Sequence, residues 1–409
     1  MSGASMRRLP LVLVVALFFL WGVANNLNDV LIAHFKKLFV LSDLGAGLVQ
    51  SAFYLGYFCL AIPAALTMRR FGYRAAVLLG LLLYGAGALM FWPAAAWQSY
   101  PAFLLALFVI ASGLGFLETS ANPLMARLGS EDTAARRLNL AQAFNPLGSI
   151  TGVLIGSQFI LSGQSGPVTG DAARAAEAAA VQVPYLVIGL GVLVWAVLIR
   201  LTPFPPVATE RDIEEGVGAA GDFAAVVRSA RVRGGVAAQF FYVGAQVGIW
   251  SFLIRYSEVA VPGTSERTAA NYLTLSLVLF MAGRFAGTAL MSRVAPARLL
   301  AGFAAVAGAL TLAAALLGGG IGIVALVATS FFMSIMYPTI FAEAVRDLGA
   351  LTKSAAALLV MAIVGGAVFP ALMGLVSDRS GSIVVAMVVP AACFAVVLLY
   401  ALSLRRGRV

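Results

Sequence analysis

The feature that most constrains this chain is a succession of apolar stretches of about twenty residues, each closed by a short polar break, running from one end to the other. A helix rises about 1.5 Å per residue, so roughly 20 apolar residues cross a bilayer. Such stretches lie at 10–34, 45–68, 74–93, 101–126, 136–162 and 182–203, then at 234–257, 268–290, 297–317, 320–345, 352–375 and 381–404. The expected fold is an all-α integral membrane protein with twelve transmembrane helices in two six-helix pseudo-repeats. Charged residues make up only 11% of the 409 residues, against about 25% in soluble domains. That figure excludes a soluble, disordered, collagenous or nucleic-acid-binding chain.

The charges that remain sort by side. Of the 27 Lys and Arg, 20 fall toward one face of the expected bilayer, six toward the other, and only Arg284 lies well inside a span. The positive-inside rule makes the richer face cytoplasmic and puts both termini there, so the net charge of +10 reports topology. Arg7 and Arg8 precede the first stretch, which is expected as an uncleaved helix and not a secretory leader. The stretch 204–233 carries Pro, Gly and clustered charges, so the expected division is an N-terminal bundle over 1–203, a cytoplasmic linker with a short surface helix, and a C-terminal bundle over 234–409. The inner loops echo each other weakly, MRRFGYR (68–74) against MSRVAPAR (291–298), as parallel repeats of a transporter would. Cys59 and Cys393 sit in apolar runs of opposite halves and read as small hydrophobes; with a single His, no metal or other cofactor is expected.

Polar side chains at membrane depth are costly, which makes each a functional candidate. Asn25, Asn26, Asn28 and Asp29 put four polar groups into five residues of the first span, and these have to face a cavity or other helices. A hydrogen-bond knot fixing helix packing is one reading; proton or substrate handling is the other. Glu118 stands in GLGFLETSANP (113–123) with Asn122 one turn on, glycines that allow close approach, and Pro123 to bend the helix. By rise per residue Glu118 lies about 15 Å from the inner end and Asp29 about 30 Å, so the two carboxyls sit at different depths. Gln142 and Asn145 follow in the fifth span, and amides both donate and accept, as sugar hydroxyls require. Tyr242, Gln246 and Trp250 recur every four residues in the seventh span, with Phe280 and Tyr337 as further aromatic candidates. For each of these, interhelical packing is the structural alternative. Arg284 is expected to find a structural partner near the inner surface, and His34 to be interfacial. No phosphate loop, nucleophile elbow or metal-ligand spacing is present, so no enzyme is expected.

These residues fall in motifs that resemble the fucose permeases. NNLND (25–29), LVQSAFYLGYF (48–58), GLGFLETSANP (113–123) and RLNLAQAFN (137–145) resemble their first half; YVGAQVGIWSF (242–252), GRFAGT (283–288), MSIMYPTIF (333–341) and GLVSDRSG (374–381) resemble the second. The resemblance covers roughly 11–400 and implies the fucose–galactose–glucose:proton symporter family of the major facilitator superfamily. It implies that Glu118 faces the sugar and changes protonation, that Asp29 couples proton movement to turnover, and that Asn26, Gln142, Asn145, Phe280 and Tyr337 surround the sugar. Against the family pattern, Pro146 replaces a small polar residue, Leu124 an aromatic, and Met336 a Gln beside Tyr337. Gln246 with Trp250 matches the fucose branch, since the glucose/galactose branch carries Glu and lacks the Trp.

The expected function is therefore symport of L-fucose or a related hexose with a proton, by alternating access, in a functional monomer of the bacterial inner membrane. The expected partners are a small sugar, the proton and the lipid bilayer, with no nucleic acid. Glucose, galactose, fructose, mannose and N-acetylglucosamine are alternative cargoes. An exporter working by proton antiport and a non-transporting sugar sensor are the remoter alternatives; tails of about ten and five residues weigh against the sensor.

Overall fold

A computed structural model of the chain describes residues 3–39, 43–155, 159–160, 170–209, 219–264 and 266–406. Regular structure among these residues is helical throughout: α1 (Gly3–Leu38), α2 (Asp43–Phe71), α3 (Tyr73–Ala96), α4 (Tyr100–Arg127), α5 (Ala134–Gln142), α6 (Phe144–Ile155), α7 (Asp171–Ala179), α8 (Gln182–Leu201), α9 (Ala219–Arg228), α10 (Ala230–Ala260), α11 (Glu266–Leu290), α12 (Pro296–Leu317), α13 (Gly319–Met333), α14 (Met336–Ala344), α15 (Thr352–Met361), α16 (Gly365–Ser380) and α17 (Val388–Arg406). Among the described residues, each of the twelve expected spans falls mainly on helix. Among the described residues 10 helical stretches are long and apolar enough to cross a membrane, and Leu9–Ala24 of α1 is a shorter apolar segment.

Local chemistry sets the ends. Ser99 caps α4 by accepting the Ala102 amide, with Pro101 in the first turn where no amide partner is needed; Ser229 caps α10 in the same way through Val232. Between α2 and α3 the chain turns at Gly72 with φ of +84°, a conformation open to glycine, and a side chain there would also meet Thr209. Three expected spans are not continuous. The fifth breaks at Ala143 between α5 and α6, the tenth at Ser334–Ile335 between α13 and α14, and the eleventh passes through a 3-10 turn, Ala362–Val364, between α15 and α16.

The chain divides into two compact units. One comprises residues 1–128 and 144–216, the other 129–143 and 217–409, so α5 belongs with the second. In the first unit α1 packs on α6, α4 on α2 and α3, and α3 on α8. Without an apolar driving force between helices in lipid, close backbone approach has to supply the attraction, and small residues permit it. A methyl at Gly113 would come within 2.5 Å of the Tyr84 backbone, and one at Gly56 within 2.7 Å of the Ala111 Cβ. The α1–α6 contact is tighter still: methyls at Gly22, Gly148 and Gly152 would overlap the backbone carbonyls of Asn145, Phe19 and Val23. In the second unit α10 packs on α16 and α17, α12 on α13 and α17, and α11 on α13, while α5 lies against α11 and α14. Leu, Val and Ile dominate the outward faces, with Leu201, Leu316, Val324 and Leu399 each about two-thirds or more exposed, as a lipid-facing surface requires.

Candidate functional site

In the first unit the site is built on α4. Glu118 is only 7% exposed, and Thr119, Ser120 and Asn122 beside it are fully buried. The hydroxyls are satisfied within the helix: Thr119 Oγ1 donates to the Gly115 carbonyl at 2.6 Å and Ser120 Oγ to the Phe116 carbonyl at 2.6 Å. Glu118 is thus a carboxyl held among small polar groups that spend their own protons on backbone. Gly113, Gly80 and Gly56 give α4 its close seat on α3 and α2, and that seat carries Glu118 into the interior. Asn145, on α6, is half-buried and donates Nδ2 to the Phe18 carbonyl of α1 at 3.2 Å, so part of its amide capacity is structural. Asn25, Asn26 and Asp29 fall in α1, but their side chains lie outside the described residues. His34, near the end of α1, is buried, with Nδ1 3.6 Å from Glu177.

The second unit gathers the aromatic candidates. Tyr242 and Trp250 lie two turns apart on α10, and both reach α13. Tyr242 donates its hydroxyl to the Met333 carbonyl at 2.9 Å and Trp250 its Nε1 to Ser330 Oγ at 3.2 Å. Gln246 lies between them, half-buried. The Phe280 ring stands edge-on to Trp250 with centroids 5.0 Å apart, and Tyr337 is tilted against Tyr242 at 6.5 Å. Gln142 is buried at the end of α5, and its neighbour Asn139 donates Nδ2 to the Thr339 hydroxyl of α14 at 3.1 Å.

Beneath this cluster lies Arg284, for which a structural partner was expected; it is buried, and its partners are two backbone carbonyls that the sequence did not single out. Its guanidinium carbon sits 4.5 Å above the Phe280 ring, and it donates Nε to the Ser334 carbonyl at 2.7 Å and Nη1 to the Gln142 carbonyl at 2.9 Å. GRFAGT delivers it there: a methyl at Gly283 would overlap the Phe331 carbonyl, so α11 rests on the α13 backbone. Glu343 and Lys353 are buried as well, close to the end of the tenth expected span and the start of the eleventh. Further along, an exposed ionic cluster joins Arg346 to Asp132 at 3.1 Å and Arg231 to Asp347 at 3.2 Å. A hydrogen bond shared with Asp347 raises the Glu131 carboxyl above its ordinary range; the same bond, with help from Arg231, holds Asp347 below its own. No group of three or more metal-ligating side chains occurs among the described residues.

The first unit thus holds a buried carboxyl among small polar groups, and the second, by itself, a set of aromatic faces with amide side chains beside them. Comparison with known proteins gives the arrangement a lineage. The Major Facilitator Superfamily model matches residues 12–351. The L-fucose-proton symporter of Escherichia coli K12 is 45% identical over 96% of this chain and 92% of its own length. A glucose/galactose transporter of Brucella abortus is 37% identical over 94% of this chain and 92% of its own. Among solved structures, the major facilitator transporter FucP in its outward conformation superposes with a TM-score of 0.90 at 44% identity, covering 98% of this chain and 99% of that one. The proton:xylose symporter XylE shares the fold, with a TM-score of 0.77 at 13% identity. The chain is a multi-pass membrane protein that belongs to the major facilitator superfamily, among its fucose-permease-like transporters.

Proposed function

We propose that this chain is a proton-coupled symporter of L-fucose, working by alternating access as a monomer in the bacterial inner membrane, with both termini cytoplasmic. The observation that carries the reading is Glu118, a buried carboxyl on a span packed through glycines, in a chain 45% identical to an L-fucose-proton symporter over nearly all its length. Glu118 takes up the proton and meets the sugar in its protonated form. Asp29 couples proton movement to the return of the empty carrier. Gln142 and Gln246 address hydroxyls, joined by Asn25, Asn26, Asn122 and Asn145; Trp250, Phe280 and Tyr337 provide apolar faces. An edge-on indole–phenyl pair suits the methyl group and apolar face of a 6-deoxyhexose.

The driving force is the proton gradient, in which one charge crossing 100 mV contributes about 2.3 kcal/mol. A second cargo, glucose or galactose, is favoured by the Brucella relative at 37% identity. The test is the pH of lightly buffered cells expressing the protein as sugars are added one at a time. L-fucose is expected to alkalinise the medium, and Glu118→Gln to abolish the signal. A response to glucose or galactose alone would keep the mechanism and change the cargo; silence across the panel, with the protein verified in the membrane, would remove symport.

A further inference from the structure

Arg284 spends its two described hydrogen bonds on backbone carbonyls, Gln142 and Ser334, from spans that are far apart in sequence. Counting four residues on from each shows why those two need a donor. In a continuous helix the carbonyl of residue 142 would accept the amide of residue 146, and that of 334 the amide of 338. Both positions are proline, Pro146 and Pro338, and proline has no amide hydrogen to give. Each proline also coincides with a break: α5 ends at Gln142 with Ala143 non-helical, and α13 ends at Met333 with Ser334 and Ile335 non-helical. A freed carbonyl in a membrane span has to find a partner from elsewhere in the protein.

We infer that Arg284 is a positioning residue whose guanidinium replaces, from a third span, the two amide donors that Pro146 and Pro338 remove. Three features suit it to this. The planar fork presents Nε and Nη1 in different directions, so one side chain serves two acceptors while its face stays on the Phe280 ring. Both acceptors stand at helix C-termini, where the backbone dipoles favour a cation. Gly283 lets α11 approach the α13 backbone closely enough for a short bond. The residues held this way are candidate sugar contacts: Gln142 carries one of the carbonyls, Phe280 lies under the guanidinium, and Tyr337 follows Ser334 by three residues. Arg284 thereby holds the carbonyl ends of α5 and α13 and the orientation of an aromatic face without itself touching the sugar. This functional half of the inference rests on the sugar-symport reading; the structural half does not.

The experiment is a set of multiple mutants in the full-length protein, read by sugar uptake and by thermal melting in detergent. Arg284→Met is expected to raise the KM for L-fucose about tenfold, as expected for losing a charge-assisted hydrogen bond, and to lower the melting temperature. Pro146→Ala restores an amide four residues beyond Gln142, and Pro338→Ala one beyond Ser334. Placed in the Arg284→Met chain, each is expected to recover part of both losses, and the two together most of them. Arg284→Lys, one point charge with no fork, is expected to recover less than the paired proline replacements. Losses of the same size whether or not the prolines are present would overturn the inference. If Arg284→Met does not accumulate in the membrane, accumulation regained on adding both proline replacements supports the inference, and accumulation still absent overturns it. Were the unmutated protein to take up no L-fucose, the sugar reading would fall, and the melting data would still decide the role of Arg284.

Discussion

A single methyl group measures how closely the first unit is built. At Gly148 it would overlap the Phe19 carbonyl, whereas at Gly191, on α8, it would meet nothing within 4 Å. Gly148→Ala is expected to destabilise the protein by about 1–3 kcal/mol, the usual cost of forcing atoms into a filled contact. Gly191→Ala, which only improves helix propensity, is expected to be neutral or to stabilise by up to about 1 kcal/mol. Thermal melting of the two variants side by side in one detergent checks both, and equal midpoints would count against the close packing of α1 on α6. At this scale part of the packing around the candidate site was legible. The burial of Glu118 followed from its depth in an apolar span, and the close approach of Gly113 from its motif. The contacts at Gly22 and Gly148 did not, because one sequence reveals that a residue is small without revealing what lies opposite. For Arg284 a structural partner was expected but not identified, because its acceptors among the described contacts are main-chain carbonyls that every sequence possesses.

Elements were drawn correctly as apolar stretches and incorrectly as unbroken rods. A hydropathy window averages side chains and is blind to hydrogen-bond donors, so the interruptions at Ala143 and Ser334 passed unseen, although accounting for the amides lost at Pro146 and Pro338 exposes both. The turn at Ala362–Val364 has no proline four residues beyond it and left no comparable mark. Two predictions belong to this scale. Tyr242→Phe leaves the Met333 carbonyl at the end of α13 without its phenol donor, and a melting loss of about 1–2 kcal/mol is expected. The second concerns Glu131 and Asp347. Glu131, raised, adds stability while protonated and loses it as pH climbs through its raised value. Asp347, lowered, adds stability while ionised and loses it as pH falls through its lowered value. Their shared bond is therefore strongest at acid pH, between those two values, and weakens towards neutrality. Both groups are exposed, so the change should not exceed about 0.5 kcal/mol. Glu131→Gln, which keeps a donor at every pH, is expected to flatten this dependence in melts taken from acid to neutral pH.

For the molecule as a whole, the succession of membrane-spanning helices was readable because lipid imposes length and composition on every crossing. The membership of α5 was not readable. Chain order puts residues 134–142 with the first six spans, yet their packing puts them with the second unit, and tertiary contact of that kind leaves no trace in hydropathy. Coupling is a property of the whole cycle, and Asp29 is where it is tested. Asp29→Asn is expected to retain sugar exchange across the membrane while losing uphill accumulation, measured as counterflow against net uptake in vesicles. Accumulation at the normal level would take Asp29 out of the coupling. The glycine seam between α1 and α6 bears on how such a cycle can run. At Gly22, Gly148 and Gly152 backbone lies on backbone, and the Asn145 amide bonds the Phe18 carbonyl beside them, so the contact leaves little room for one helix to slide on the other. Two spans more than a hundred residues apart in sequence are in effect one lever, and any bending during transport has to be absorbed somewhere else.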